Sequence, residues 1–413
     1  MLPRARSAER AGEERPFAAF HVSPAASDRD DRDLFDGGPP IGLQMRIGLL
    51  APGRPNIRGR ALLAVLLGWA APFLITLIQG AVLHDRSFTS FVADYGMYAR
   101  SLIAAPLLVL IEGVCFPRLS GIARHFQDGG LIRDADLPRY RQALSSTRAL
   151  RDSMRLEFGL VAVAIGLVVA INWAVPQQAY QAWHRLPHSE SYSLAGWWNA
   201  LISVPVLIML LLGWLWRLLL WTRFLWLMSR LDLKIIAAHP DGAGGLKFIG
   251  LSTQAFSVLA FSSGVIVAGT IMNHIVHDAA PLMAYRAIIV GFAVLMIGLL
   301  AGPLLVFSLK LLDARRRGIF EYGALARSVG GLMERKWFRR REDADAEALS
   351  VQDFSATTDL YSVTANAYAM NIVPVAWVSL ILLACGALLP FLPAVLMSVS
   401  PEVLFRKLTS LFL

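Results

Sequence analysis

The sequence predicts an all-α integral membrane protein: a bundle of about seven (six to seven) transmembrane helices with amphipathic cytosolic helices. Three observations carry that prediction. Seven apolar stretches have about bilayer length, none of them alternates in polarity as a strand does, and the basic residues crowd into alternate connections. Crossing about 30 Å of hydrocarbon takes roughly 20 residues of helix. The spans read as Ala61 to Leu83, Ser101 to Pro117, Phe158 to Val175, Ala200 to Trp221, Leu251 to Val276, Ala287 to Leu309 and Ile372 to Met397, the second and third being the shortest. Backbone amides in lipid have no water to bond, which leaves helices or closed barrels, and barrel strands alternate in polarity. Runs such as Leu63-Ala64-Val65-Leu66-Leu67 do not.

Lys and Arg are retained on the cytoplasmic side during insertion, so their distribution predicts orientation. Arg118, Arg124, Arg133, Arg139, Arg141, Arg148, Arg151 and Arg155 lie between spans two and three, and a further basic run follows Lys310 between spans six and seven. The opposite loops hold Arg86, Arg100, Arg185 and Arg286. The N-terminus is therefore expected in the cytoplasm. The net charge of +9 and the 56% hydrophobic content agree with basic loops facing anionic lipid headgroups. Membrane lipids are the expected partners at that face, and no nucleic-acid-binding motif accompanies the charge. Cys115 and Cys385 both fall within spans, so no disulfide framework is expected.

Residues 1–60 are rich in Arg, Asp, Glu, Gly and Pro and read as a disordered tail, with Met45 as an alternative start. Residues 61–397 form the bundle, with cytosolic helical segments at 118–157 and 313–371. In the first segment Leu137, Tyr140, Leu144, Leu150 and Met154 share one face of a helix expected over Asp136 to Glu157, lying on the membrane or extending span three. Residues 398–413 read as a C-terminal amphipathic interfacial helix.

On the cytoplasmic side the string His239-Pro240-Asp241-Gly242-Ala243-Gly244-Gly245-Leu246 precedes span five. Pro240 and the glycines forbid a continuous helix. With Asp241 capping the next helix, the amides near Gly244 and Gly245 would form a small anion or headgroup nest. The plainer alternative is a tight re-entry turn. This string, together with Leu389-Pro390-Phe391-Leu392-Pro393 and the closing Pro401-Glu402-Val403-Leu404-Phe405-Arg406-Lys407-Leu408, resembles a group of uncharacterised bacterial multi-pass membrane proteins. The resemblance runs from about the first span to the end. It implies a bacterial inner-membrane location and transfers no catalytic or binding residue.

Within the spans, Glu112 is the one carboxylate and Arg217 the deepest cation, both toward the cytoplasmic half, which makes them a candidate pair. On the outer side His84, His184, His188, His274 and His277 stand near Asp85, Glu190 and Asp278. Imidazole with carboxylate suits zinc, copper, nickel or iron, so the five histidines are candidate metal ligands. Ordinary interfacial histidines, titrating with periplasmic pH, are the alternative.

No Gly-x-Ser-x-Gly, His-Glu-x-x-His or pair of intramembrane aspartates is present, so an enzyme is not expected and no cofactor is implied. A channel or transporter for an ion or small solute is the leading expectation. Gln79, Asn172, Gln254, Asn273, Pro205, Pro303 and Pro374 supply polar groups and helix breaks for a path. A non-catalytic sensor or scaffold, with the outer histidines as a metal or pH input, is the alternative. Gly264, Gly269, Gly291, Gly298 and Gly302 favour close helix contact and would serve a homo-oligomer equally well.

Overall fold

A computed structural model describes residues 34–35, 37–39, 56–84, 86–174, 181–186, 191–338 and 353–398. Its helices are α1 (Ile57–Val82), α2 (Tyr95–Asp128), α3 (Leu137–Arg151), α4 (Met154–Ala174), α5 (Leu194–Met228), α6 (Lys247–His277), α7 (Leu282–Lys336), α8 (Asp353–Tyr368) and α9 (Trp377–Ser398). Seven of them, all but α3 and α8, are long and apolar enough to cross a membrane. The described residues contain no strand, only isolated bridges pairing Ile132 with Leu233 and Arg185 with Tyr192. The chain is thus an all-α, multi-pass membrane protein.

The spans outrun their apolar cores. Hydropathy ends where polar residues begin, whereas the backbone continues as long as amides find partners. The second span, expected over Ser101 to Pro117, is the 34-residue α2, which passes through Pro117 and ends at Gly129. The seventh begins at Trp377 rather than Ile372, because residues 371–376, which include Pro374, are not helical.

In α6, 61% of the apolar window is buried, against 11% in α4, which makes α6 central and α4 peripheral. The α6 helix packs on α2 and α9, α1 packs on α2, and α5 packs on α3 and α4. Close approach depends on glycine. A Cβ on Gly269 would collide with Ala99 of α2, and one on Gly264 would sit 2.6 Å from the Ala387 carbonyl of α9. A Cβ on Gly291, Gly298 or Gly302 of α7 would meet nothing within 4 Å among the described residues, so no close approach there requires glycine.

At the arginine-rich end, here called the basic face, α3 does not extend span three. It is a separate helix ended at Asp152, and it packs on α5. Its expected apolar face holds from Leu137 to Leu150: Tyr140 and Leu144 are buried and Leu137 and Leu150 are half-buried against the core, whereas Met154 is exposed and opens α4. The Tyr140 hydroxyl donates to the Ala123 carbonyl of α2 at 2.9 Å, and Arg223 of α5 donates to Ser146 and Thr147 at 3.2 Å.

The α7 helix continues past the bundle as Ser308–Trp337 and pairs with α8. Gly323 and Gly330 admit the hydroxyls of Tyr368 and Tyr361, at 2.9 and 2.7 Å from where a Cβ would stand. Within the segment read as a tail, Leu34 and Phe35 are buried, Phe35 lying edge-on to Trp221 at 5.8 Å, and helix begins at Ile57. The interfacial helix expected beyond residue 398 lies outside the described residues.

Gly269→Val should lower the melting temperature of the purified protein, at a cost of about 1–3 kcal/mol for overpacking. Gly291→Ala, which meets open space, should leave it unchanged.

Candidate functional site

Three touching spans share one backbone irregularity. In α1 the turn Leu66–Ala70, in α2 the turn Tyr98–Ala104 and in α5 the turn Asn199–Ser203 are π-helical, and each is followed two residues later by proline: Pro72, Pro106 and Pro205. The amide before each proline reaches back five residues, Ala71 to Leu66, Ala105 to Arg100 and Val204 to Asn199. Proline has no amide to continue the series, so a carbonyl is released. In α1 that carbonyl belongs to Leu67, which accepts from the Trp198 indole at 2.9 Å and the Ser203 hydroxyl at 3.1 Å. The π turns of α2 and α5 both pack on that of α1, and a Cβ on Gly68 would lie 3.2 Å from that of Ser101.

Buried charge flanks this junction on both sides. Toward the basic face, Glu112 of α2 lies between Arg60 of α1 and Arg217 of α5, all three at most 6% exposed. Arg60 donates to both carboxylate oxygens, and Arg217 Nη2 stands 3.3 Å from Glu112 Oε1. The Arg217 guanidinium also faces the Phe116 and Trp214 rings at 4.8 and 5.4 Å. The expected Glu112 and Arg217 pair is therefore present as part of a triad. Arg60 sits one residue before the apolar run on which span one was drawn.

Toward the far end, Asp94 is buried just before α2. It accepts from the Met97 amide at 2.9 Å, Asn273 of α6 at 2.8 Å and the Trp183 indole at 3.0 Å, with Arg100 at 3.8 Å. Burial alone would raise its carboxyl, but the Arg100 charge and these hydrogen bonds hold it below the usual carboxylate range. His184 stacks on Trp183 at 3.6 Å and is buried. Its Nδ1 lies 3.3 Å from the Gln181 carbonyl and its Nε2 is 3.1 Å from Asn199 Nδ2, which fits a neutral ring with a proton on Nδ1. Burial, then the nearby Arg100 charge, pushes this imidazole down to about 3.

The outer histidines are dispersed. His184 spends both ring nitrogens as described. His84 is exposed and ends α1 in a left-handed conformation with φ 51°. His274 contacts Asp278 at 2.7 Å, and His277 lies 3.0 Å from the Asn273 carbonyl. His188 lies outside the described residues. Among the described residues no three His, Cys, Asp or Glu side chains gather to hold a metal ion.

The glycine-rich turn departs from an open nest. Asp241 fills it with its own carboxylate, accepting from the amides of Ala243 at 2.8 Å, Gly245 at 3.1 Å and Lys247 at 3.0 Å, with His239 Nδ1 2.8 Å away. Burial lifts this carboxyl, and the amides outweigh it, holding it below the usual range. Gly242 and Gly244 adopt φ of 67° and 66°, and the Gly242 carbonyl accepts from the Asn371 amide at 2.8 Å. The string is the tight turn, clasping the loop after α8.

The fold and this arrangement define a multi-pass α-helical membrane protein with two clusters of buried acidic and basic side chains. No family model, curated protein or solved structure matches the chain. Asp94, Asn199 and the prolines at 72 and 106 went unread in the sequence. Their signal was a proline early in an apolar run, and an aspartate just ahead of one.

Glu112→Ala should destabilise the protein by about 3–5 kcal/mol, because it leaves two buried guanidinium groups without their carboxylate. Chemical denaturation in detergent measures this. For His184 the folded value lies below the ordinary 6.5, so the unfolded chain binds the extra proton first. Stability should be full above pH 6.5 and fall as pH drops toward about 3, and His184→Asn should flatten that slope in thermal melts.

Proposed function

We propose that this protein is a channel or transporter for an ion or small solute, placed in a bacterial inner membrane with the basic face toward the cytoplasm. One observation carries the reading: α1, α2 and α5 touch at three proline-adjacent π turns, between the Arg60, Glu112 and Arg217 triad and the Asp94 network. Interrupted helices beside buried charge are the recurrent architecture of transport sites, since they supply backbone groups and a place to bend inside lipid. Asn199 Oδ1 adds a buried acceptor at the junction without a hydrogen bond among the described residues. Meeting such a group with a solute or water recovers about 1–3 kcal/mol.

A second reading, sensor or scaffold, rests on Ser308–Trp337, which carries span six directly into the basic layer. The depressed imidazole of His184 speaks against that residue as a near-neutral pH input.

The purified chain in liposomes should give protein-dependent flux of H⁺, Na⁺, K⁺ or Cl⁻ under an imposed gradient. Pro106→Ala restores a backbone donor at the α2 break, and should reduce that flux with assembly unchanged by size exclusion. A folded, reconstituted protein that moves none of these ions would favour the sensor or scaffold.

A further inference from the structure

We propose that the groove where α2, α6 and α9 meet at the basic face binds a single anionic phospholipid, with its headgroup phosphate held between Arg118 and Lys247 over the hollow at Gly121. The groove encloses about 710 Å³, within the roughly 300–1,000 Å³ of small-ligand sites. Its charge has one sign. Arg118, His125 and Lys247 line it, and no Asp or Glu does. Among the described residues Arg118 and Lys247 are exposed and make no ion pair.

The helix geometry explains how the groove is built. Gly121 and Ile122 each stand three or four residues from both Arg118 and His125, so a single stripe of α2 faces in. Gly121 leaves that stripe hollow, because a Cβ there would meet nothing within 4 Å. The Phe248 ring forms the opposite wall, edge-on to His125 at 4.4 Å. A hydrogen bond of 3.1 Å from Gln254 to Ser379 ties α6 to α9 beside it.

Depth selects a lipid over a soluble anion. The groove lies at the basic ends of three spans, and the next residue after its Ala376 wall is Trp377, 79% exposed. Tryptophan in that setting marks the headgroup layer. Basic pockets between spans on this face suit lipid phosphate. A second cavity among the described residues, about 560 Å³, is lined by Asp232, Asp313 and Glu321 as well as by Lys310 and Arg317, and this mixed charge has no such preference.

The test is native mass spectrometry of the full chain in mild neutral detergent. Palmitoyl-oleoyl phosphatidylglycerol, phosphatidylcholine with the same chains, and inorganic phosphate are added separately and in competition. The expected result is one phosphatidylglycerol retained per chain, little phosphatidylcholine, and no displacement by phosphate. Arg118→Ala with Lys247→Ala should weaken retention about thirtyfold. Gly121→Leu should abolish it while the melting temperature without lipid matches that of the parent. If Gly121→Leu fails to fold, the double variant decides alone. Equal retention of both lipids, retention unchanged in the variants, or displacement by free phosphate would overturn the proposal.

Discussion

Every amide and carbonyl within the lipid layer must be met from inside the protein, and prolines at 72, 106 and 205 break that closure in three neighbouring spans. Each break is absorbed by a wider turn, and in α1 the released Leu67 carbonyl is met by Trp198 and Ser203 of α5. The interhelical contact is therefore a backbone requirement before it is a matter of packing. The Gly68 and Ser101 crossing and the close seating of the three turns follow from it.

The α2 helix is the hub of the polar interior. Glu112 ties it to α1 and α5, while Asp94, just ahead of it, ties to α6 through Asn273 and to the 181–186 loop through Trp183. These two carboxylates lie on either side of the π turn. A cation at mid-bilayer costs about 2.5–3.5 kcal/mol to insert, and the shared carboxylate and the aromatic faces near Arg217 offset that cost. The helix is thus fixed on both sides of its irregular turn.

The sequence made the seven spans legible because lipid imposes one strong, local criterion on composition. It also brought Glu112 and Arg217 together, since a lone acid and a deep base in apolar runs have few other partners. Arg60 was lost because an apolar window begins one residue too late to include it. The Asp241 turn was read correctly as a chain reversal, but whether its amides faced an external anion or its own carboxylate depends on one side-chain torsion. The outer histidines share loops in sequence, yet His184 is drawn inward by stacking on Trp183, and His274 and His277 remain on the α6 end. Convergence of loops is a tertiary property that spacing does not encode.

The reach of α7 has a mechanical consequence. At 1.5 Å per residue, its 55 residues extend about 80 Å, whereas the hydrocarbon layer takes about 30 Å. The remainder, Ser308–Trp337 braced by α8, is an arm joined to the embedded half through the 3-10 turn Gly302–Phe307. Pivoting that base by about 10° would swing the end of a roughly 45 Å arm through about 8 Å, so a modest rearrangement among the spans becomes a large excursion beyond the bilayer.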